Sequence, residues 1–232
     1  MHREQVISLL RRTQLFGGLD DDALDRLAAS VGQRSYRRGD VIFYEGDAGD
    51  SLFVVASGRV KLEVGSRAGD TMLLTTLGAA ETFGELALVD QGPRSATATA
   101  LEPTLLLSVS RPTLINLLTE RPGLADGLLR GIGTMVRRLT GQAADLALLD
   151  LPARVAKLLL MLADQQASTS GPGRQPTVEV RLTQTDMANM VGGSRQSVNQ
   201  ILSSFATRGI IDLRGRTIVL RQLDHLRRRA GL

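Results

Sequence analysis

The 232 residues, 43% of them apolar, allow one large or two ordinary domains with real cores, and no run approaches the ~18 consecutive apolar residues of a membrane span. Cysteine is absent, which excludes disulfides, iron–sulfur clusters and thiolate nucleophiles, and the only two histidines, His2 and His225, read as solvated surface residues rather than metal or haem ligands. Charge divides the chain: residues 1–150 carry 16 Lys+Arg against 19 Asp+Glu, a net of −3, whereas residues 151–232 carry 12 against 5, a net of +7, the footprint of a partner of nucleic acid or of an anionic membrane surface.

The start, Met1-His2-Arg3-Glu4-Gln5, lacks the apolar stretch of a secretory signal, which predicts a cytoplasmic protein. Apolar residues at helical spacing then predict two short helices, Gln5 to Arg12 and Asp20 to Ala29. The second opens on the acidic cluster Asp20-Asp21-Asp22, which favours a helix N-terminus. From about Gln33 to Ser110 the period changes to short β-prone runs: Val41–Tyr44, Leu52–Val55, Val60–Val64, Met72–Thr75, Thr97–Ala100 and Thr104–Leu107. Turn signals such as Arg38-Gly39-Asp40, Glu45-Gly46-Asp47, Ser57-Gly58-Arg59 and Ala68-Gly69-Asp70 separate them, as in a small β-barrel or sandwich.

Late in that region, Phe83-Gly84-Glu85-Leu86-Ala87-Leu88 and Arg94-Ser95-Ala96-Thr97-Ala98 flank the polar connection Asp90-Gln91-Gly92-Pro93. An anionic phosphate wants a guanidinium fork (Arg94), a hydroxyl donor (Ser95) and backbone N–H groups, and a ribose hydroxyl wants a carboxylate (Glu85). Gly84 lets the backbone approach a ligand closely, and the polar connection folds Arg94 back over the site. One Glu/Arg pair at this distance also suits an edge hairpin with a surface ion pair; the full ordered set favours the ligand site.

Beyond it, Arg111 to Leu118 predicts a helix, and a long helix is predicted from about Gly123 to Leu149, bounded by Pro122 and Pro152. Its apolar positions, Ala125, Leu128, Ile132, Met135, Leu139, Leu146 and Leu149, alternate three and four apart with Gln142 in the one polar slot. That is a coiled-coil seam, roughly 40 Å long, read as a parallel two-helix dimer axis over residues 123–149; a helix packed on its own barrel is the alternative. Asp150-Leu151-Pro152 then breaks the helix and is expected to act as a hinge, and Arg154 to Leu162 begins a fresh helix. Residues 167–176 form a flexible loop by composition, leading into a strand at Val178-Glu179-Val180.

From Leu182 to Leu202 the pattern is a helix-turn-helix. Thr183 can N-cap a short helix with Asp186 three positions on, Ala188 permits a close crossing, and Gly192 suits a left-handed turn. Ser194 caps a second helix that buries Val198, Ile201 and Leu202. Ser197 lies in its first turn, and Arg195, Gln196, Asn199 and Gln200 face outward, types that pair with base edges in the major groove. Arg208–Leu213 and Thr217–Leu220 form a β-hairpin with Arg214 and Arg216 at its tip, where a phosphate backbone would lie; the whole reads as a winged helix-turn-helix. Arg227-Arg228-Arg229 adds phosphate contacts or forms a solvated helix end.

The run Phe83–Leu88 with Pro93–Ala100 resembles the phosphate-binding cassette of cyclic-nucleotide-binding domains, and the order of parts from Leu15-Phe16 through the wing resembles the family of the cyclic AMP receptor protein and the fumarate-nitrate regulator, including its actinobacterial branch. The resemblance implies an α+β chain with a jelly-roll β-roll domain over residues 1–122, a dimerisation helix and hinge over 123–150, and a winged helix-turn-helix domain over 151–232. It also implies a homodimeric transcription factor that binds inverted-repeat double-stranded DNA, contacts RNA polymerase and takes cAMP as ligand. The family's cassette glycine, glutamate, leucine, arginine and serine map onto Gly84, Glu85, Leu86, Arg94 and Ser95. Two departures stand out: the family's adenine-contacting Thr and its neighbour map onto Leu139 and Thr140, and Gln196 and Gln200 replace a Glu and an Arg of the recognition helix. A same-fold regulator that needs no ligand or answers to another, such as cyclic di-GMP, is the alternative; a cyclic-nucleotide-binding regulatory subunit of an enzyme is the alternative from another class. No catalytic constellation of nucleophile and base, metal cluster or Walker-type loop is legible, so no enzymatic activity is expected.

Overall fold

A computed structural model of the chain describes residues 1–66, 71–167, 177–179, 184–215 and 217–232. The turn expected at Ala68-Gly69-Asp70, nearly all of the loop expected over 167–176, Val180, Thr183 and Arg216 lie outside the described residues. The chain divides into two compact units, Met1–Arg138 and Leu139–Leu232.

In the first unit, helices α1 (Arg3–Arg12) and α2 (Asp21–Ser30) precede a β-roll. Helix α2 begins where the acidic cluster predicts, because the Asp20 carboxylate accepts a hydrogen bond from the Ala23 N–H at 2.8 Å. The roll contains β1 (Gly32–Tyr36), β2 (Val41–Phe43), β3 (Ser51–Ser57), β4 (Val60–Gly65), β5 (Thr71–Leu77), β6 (Thr82–Phe83), the one-turn helix α3 (Leu86–Val89), β7 (Thr97–Ala100) and β8 (Thr104–Ser110). The strands pair antiparallel in two four-stranded sheets, β1-β8-β3-β6 and β2-β7-β4-β5.

Strand β3 is buried on both faces. Leu52 and Val54 join Leu10, Phe16, Leu24 and Leu107 in a core beneath the helices, while Phe53 and Val55 join Phe83, Ala98 and Leu106 inside the roll. Two-sided burial explains why this run reads as continuously apolar instead of alternating. The sequence reading passes over β1 and β6. The former is an edge strand whose first four residues are exposed, so it carries no apolar period; the latter is two residues long.

Helix α4 (Arg111–Glu120) is capped by the Ser110 hydroxyl, which accepts from the Thr113 N–H at 3.3 Å, and α5 (Gly123–Leu148) follows. The positions expected for the seam on α5 divide between two surroundings. Leu128, Ile132 and Met135 line a cavity of the roll, whereas Leu129 and Val136 stand exposed at 65% and 53%. A second apolar stripe therefore runs through the exposed residues Leu129, Val136, Ala143 and Leu146, with half-buried Ile132 and Leu139 between them at spacings of three and four, and Ala143 stands in the slot expected for Gln142. A helix with two adjacent apolar stripes does not announce which one its own roll takes up.

The second unit contains α6 (Leu151–Ala167), β9 (Thr177–Glu179), α7 (Gln184–Val191), α8 (Arg195–Thr207), β10 (Ile211–Arg214), β11 (Thr217–Leu220) and α9 (Leu223–Arg229). The strands form an antiparallel sheet, β10-β11-β9. The break after α5 falls at Asp150-Leu151-Pro152 as expected, and it is pinned on every side. Asp150 Oδ1 accepts from the Ala153 N–H (2.9 Å) and Oδ2 pairs with Arg229 (2.6 Å); Arg154 donates to the carbonyls of Leu146 (3.2 Å) and Leu149 (3.1 Å); Lys157 pairs with Asp145 (2.6 Å). Arg229 is thus an ion-paired helix end. Among the described residues no helix is long and apolar enough to cross a membrane.

Candidate functional site

The roll encloses a cavity of about 210 Å³ that gathers Gly84, Glu85, Leu86, Arg94 and Ser95. Strand β6 delivers the chain to Gly84, whose φ of +81° is a left-handed conformation that suits glycine. A Cβ there would also stand 2.7 Å from Arg94 Nη1. Glu85 follows immediately and opens α3, whose first N–H groups have no intrahelical partner. The connection then turns through Gln91 (φ +58°), braced by Asp90 accepting from the Gly92 N–H at 2.8 Å. It returns as an extended segment in which the Arg94 N–H donates to the Asp47 carbonyl (2.8 Å) and the Gly46 N–H donates to the Arg94 carbonyl (2.9 Å).

Arg94 is 5% exposed. Its Nη1 donates to the Gly84 carbonyl (2.9 Å), its Nη2 to the Ser51 carbonyl (2.8 Å), and its guanidinium carbon lies 4.3 Å from the Phe43 ring centroid. Phe43, Phe53 and Phe83 pack ring on ring at 5.4–5.9 Å beneath it. A planar cation is therefore held flat by an aromatic floor and two carbonyls, a geometry lysine lacks. Burial lowers the Arg94 pKa, with Asp50, Asp47 and Glu85 opposing.

Two polar atoms in this cavity are buried without a hydrogen-bond partner: Arg94 Nε and Glu85 Oε2. Each costs on the order of 1–3 kcal/mol if left so. Burial also pushes the Glu85 carboxyl up from its ordinary value, against the pull of its own backbone N–H and of the Arg138 and Arg94 guanidiniums. A ligand that presents an anionic oxygen to the guanidinium and a hydroxyl to the carboxylate satisfies both orphans at once.

Leu139 and Thr140 do not line this cavity; Leu139 is half-buried and Thr140 exposed. The residue that α5 contributes instead is Arg138, which donates to Thr75 Oγ1 at 2.9 Å. Sequence reasoning missed it, although it continues the spacing Leu128, Gly131, Met135 along the same helix face. It also missed Gly49, where a Cβ would meet the Ala87 side chain at 2.5 Å and Arg94 Nε at 2.9 Å.

In the second unit, Asp186, Met187, Ala188 and Val191 of α7 and Val198, Leu202 and Phe205 of α8 are the buried residues of the helical pair. Ile201, expected among them, is only half-buried, and Phe205 takes the third buried position. The turn is Gly192 (φ +62°) and Gly193, whose N–H donates to the Ala188 carbonyl at 3.0 Å. Ser194 then accepts from the Ser197 N–H at 3.0 Å and caps α8 as expected. Arg195, Gln196 and Gln200 are exposed, and with Asn199 and Ser203 they line one shallow recess. Arg214 on the wing is 65% exposed and lies 3.4 Å from an Asp212 carboxylate oxygen. Among the described residues no group of three or more His, Asp or Glu side chains is arranged to hold a metal ion.

Two family models match, the cyclic nucleotide-binding domain over residues 33–121 and the Crp-like helix-turn-helix domain over residues 153–229. A CRP-like cAMP-activated global transcriptional regulator of Mycobacterium tuberculosis is 36% identical over 222 residues, spanning 96% of this chain and 98% of that protein. The cyclic AMP receptor protein of Thermus thermophilus is 34% identical over 216 residues, spanning 92% and 94%. Among solved structures, the c-di-GMP responsive global regulator CLP of Xanthomonas campestris superposes with a TM-score of 0.76 at 23% identity, over 87% of this chain and 99% of that one; this last likeness is one of fold.

Proposed function

This chain belongs to the cyclic AMP receptor protein and fumarate-nitrate regulator family of DNA-binding transcription regulators, and from that premise we propose that it acts as a homodimer on inverted-repeat DNA under the control of a cyclic nucleotide, cAMP first among them. In this reading residues 1–122 bind the ligand with Arg138 of α5 closing the pocket, 123–150 join the two copies, and 151–232 bind DNA and hold the regulator where it meets RNA polymerase. It is a binding protein, with no reaction assigned to it.

The observation that carries the ligand assignment is the pair of buried, unpartnered atoms, Glu85 Oε2 and Arg94 Nε, in one cavity. With one N–H of each Arg94 Nη donated to a backbone carbonyl, the unpartnered Nε–H is the buried donor turned to a phosphate oxygen, and a second hydrogen remains on each Nη. Ser95 and the first N–H groups of α3 add donors for the same phosphate, and the Glu85 carboxylate accepts from a ribose hydroxyl. Thr75 and Arg138 stand ready at the base end. Arg195, Gln196, Asn199 and Gln200 read base edges, with Thr183, Ser194, Ser197, Arg214 and Arg216 as supporting or phosphate contacts.

Calorimetric titration of the full chain with cAMP, cyclic GMP and cyclic di-GMP tests the pocket. One cyclic nucleotide should bind the parent and fail to bind Arg94→Ala. Equal binding to both proteins would reject the pocket assignment, and heat from cyclic di-GMP alone would replace the ligand.

A further inference from the structure

We propose that Gln184, at the start of α7, is the positioning residue that sets how Arg195 and Asn199 face the major groove. The proposal rests on the reading of α8 as the recognition helix. Gln184 Oε1 accepts from Arg195 Nε at 3.4 Å and from Asn199 Nδ2 at 2.9 Å. Arg195 and Asn199 are four apart on α8, hence neighbours on one face, and both line the recess that also holds Gln196 and Gln200.

The orientation of all three side chains follows from donor and acceptor chemistry. A guanidinium only donates, so Gln184 must turn its oxygen, not its amide nitrogen, toward Arg195. The same oxygen can be met from Asn199 only by that residue's amide nitrogen. Asn199 Oδ1 is thereby turned away from Gln184 as a free acceptor, and the Nη edge of Arg195 is left for the groove. An Nη pair suits the O6 and N7 acceptors of guanine, and a lone acceptor suits the amino group of cytosine or adenine. Gln184 thus converts two adaptable side chains into a fixed pattern, two donors beside one acceptor. Ordering them before DNA arrives removes part of the entropy cost of binding. The consequence is base discrimination, since a side chain that only touched phosphate would strengthen all DNA equally.

The test uses the full chain, a half-site chosen from a randomised inverted-repeat library, and affinities for every single-base variant of it. Gln184→Met keeps the length and loses the acceptor; Gln184→Glu keeps the acceptor. The Met variant should hold random DNA as the parent does, with the same salt dependence, yet lose about tenfold in discrimination at the base pairs read by Arg195 and Asn199. The Glu variant should retain those preferences while binding all DNA more weakly through its added negative charge. In an Arg195→Ala background, Gln184→Met should change nothing further at the base pair of Arg195. Unchanged base preference in the Met variant, or equal loss on specific and random DNA, would overturn the role given to Gln184. A parent without any sequence preference would instead overturn the recognition-helix reading, and this proposal with it.

Discussion

At the scale of single residues, the pocket buries a carboxylate oxygen of Glu85 and the Nε of Arg94 without hydrogen-bond partners. Burial favours the protonated form of Glu85, so the folded chain binds that proton more tightly than the unfolded chain does. Stability from this group is greatest below the ordinary carboxylate range and declines as pH rises through the raised value. Glu85→Gln should therefore raise the denaturation midpoint at pH 7, with the gain gone at acid pH, and should weaken cyclic nucleotide binding at both. Urea melts at the two pH values, with and without nucleotide, check both halves. Gly84→Ala acts on the partner residue: a Cβ at φ +81° is strained and stands 2.7 Å from Arg94 Nη1, so it should displace the guanidinium. Nucleotide affinity should fall at least tenfold, a shift of about 1.4 kcal/mol, while binding to random DNA is unchanged.

At the scale of elements, α5 carries two apolar stripes with different fates. Leu128 and Met135 belong to the cavity of the roll, and Leu129 and Val136 are left uncovered. A second copy of the chain is the occupant that suits a heptad-spaced stripe. Val136→Glu should then turn a dimer into a monomer in sedimentation equilibrium without lowering nucleotide affinity per chain, whereas Leu128→Glu should damage the pocket first. The joint between α5 and α6 offers a second test. Asp150 is the N-cap of α6 and the partner of Arg229, and both contacts hold its carboxyl below the usual range. Asp150→Ala should cost ~1 kcal/mol through the lost cap, and Arg229→Ala should cost less, since it leaves the cap in place and removes only a partly exposed ion pair. Thermal melts of the two variants rank the two contacts.

At the scale of the whole molecule, a two-fold dimer places its recognition helices in successive major grooves about 34 Å apart, so the best operator should be an inverted repeat whose half-site spacing tolerates no insertion of a few base pairs. A ligand shifts DNA affinity only by binding one dimer state better than the other. The position expected to contact adenine is occupied by Leu139, and α5 gives the pocket Arg138 instead. The chain without ligand should accordingly be partly DNA-competent, with saturating cAMP raising DNA affinity by ~1 kcal/mol or less. Leu139→Thr should widen that difference. A parent that is inert until nucleotide is added and then gains a hundredfold would contradict this.

Much of this was legible in the residues because it depends on local chemistry. Gly84, Glu85, Arg94 and Ser95 stand in the order a phosphate and a ribose require, and the cap at Ser194 and the turn at Gly192 mark the helix-turn-helix, since caps and turns are decided within a few residues. Contacts across sequence distance were not legible. Nothing near Arg94 signals that Ser51, Gly49 and Phe43 will hold it; nothing near Gln184 signals Arg195 and Asn199. The period of α5 named an apolar helix, but which stripe faced its own roll depended on where the roll's surface lay. Periodicity reports only that a face will be covered; tertiary packing decides by what.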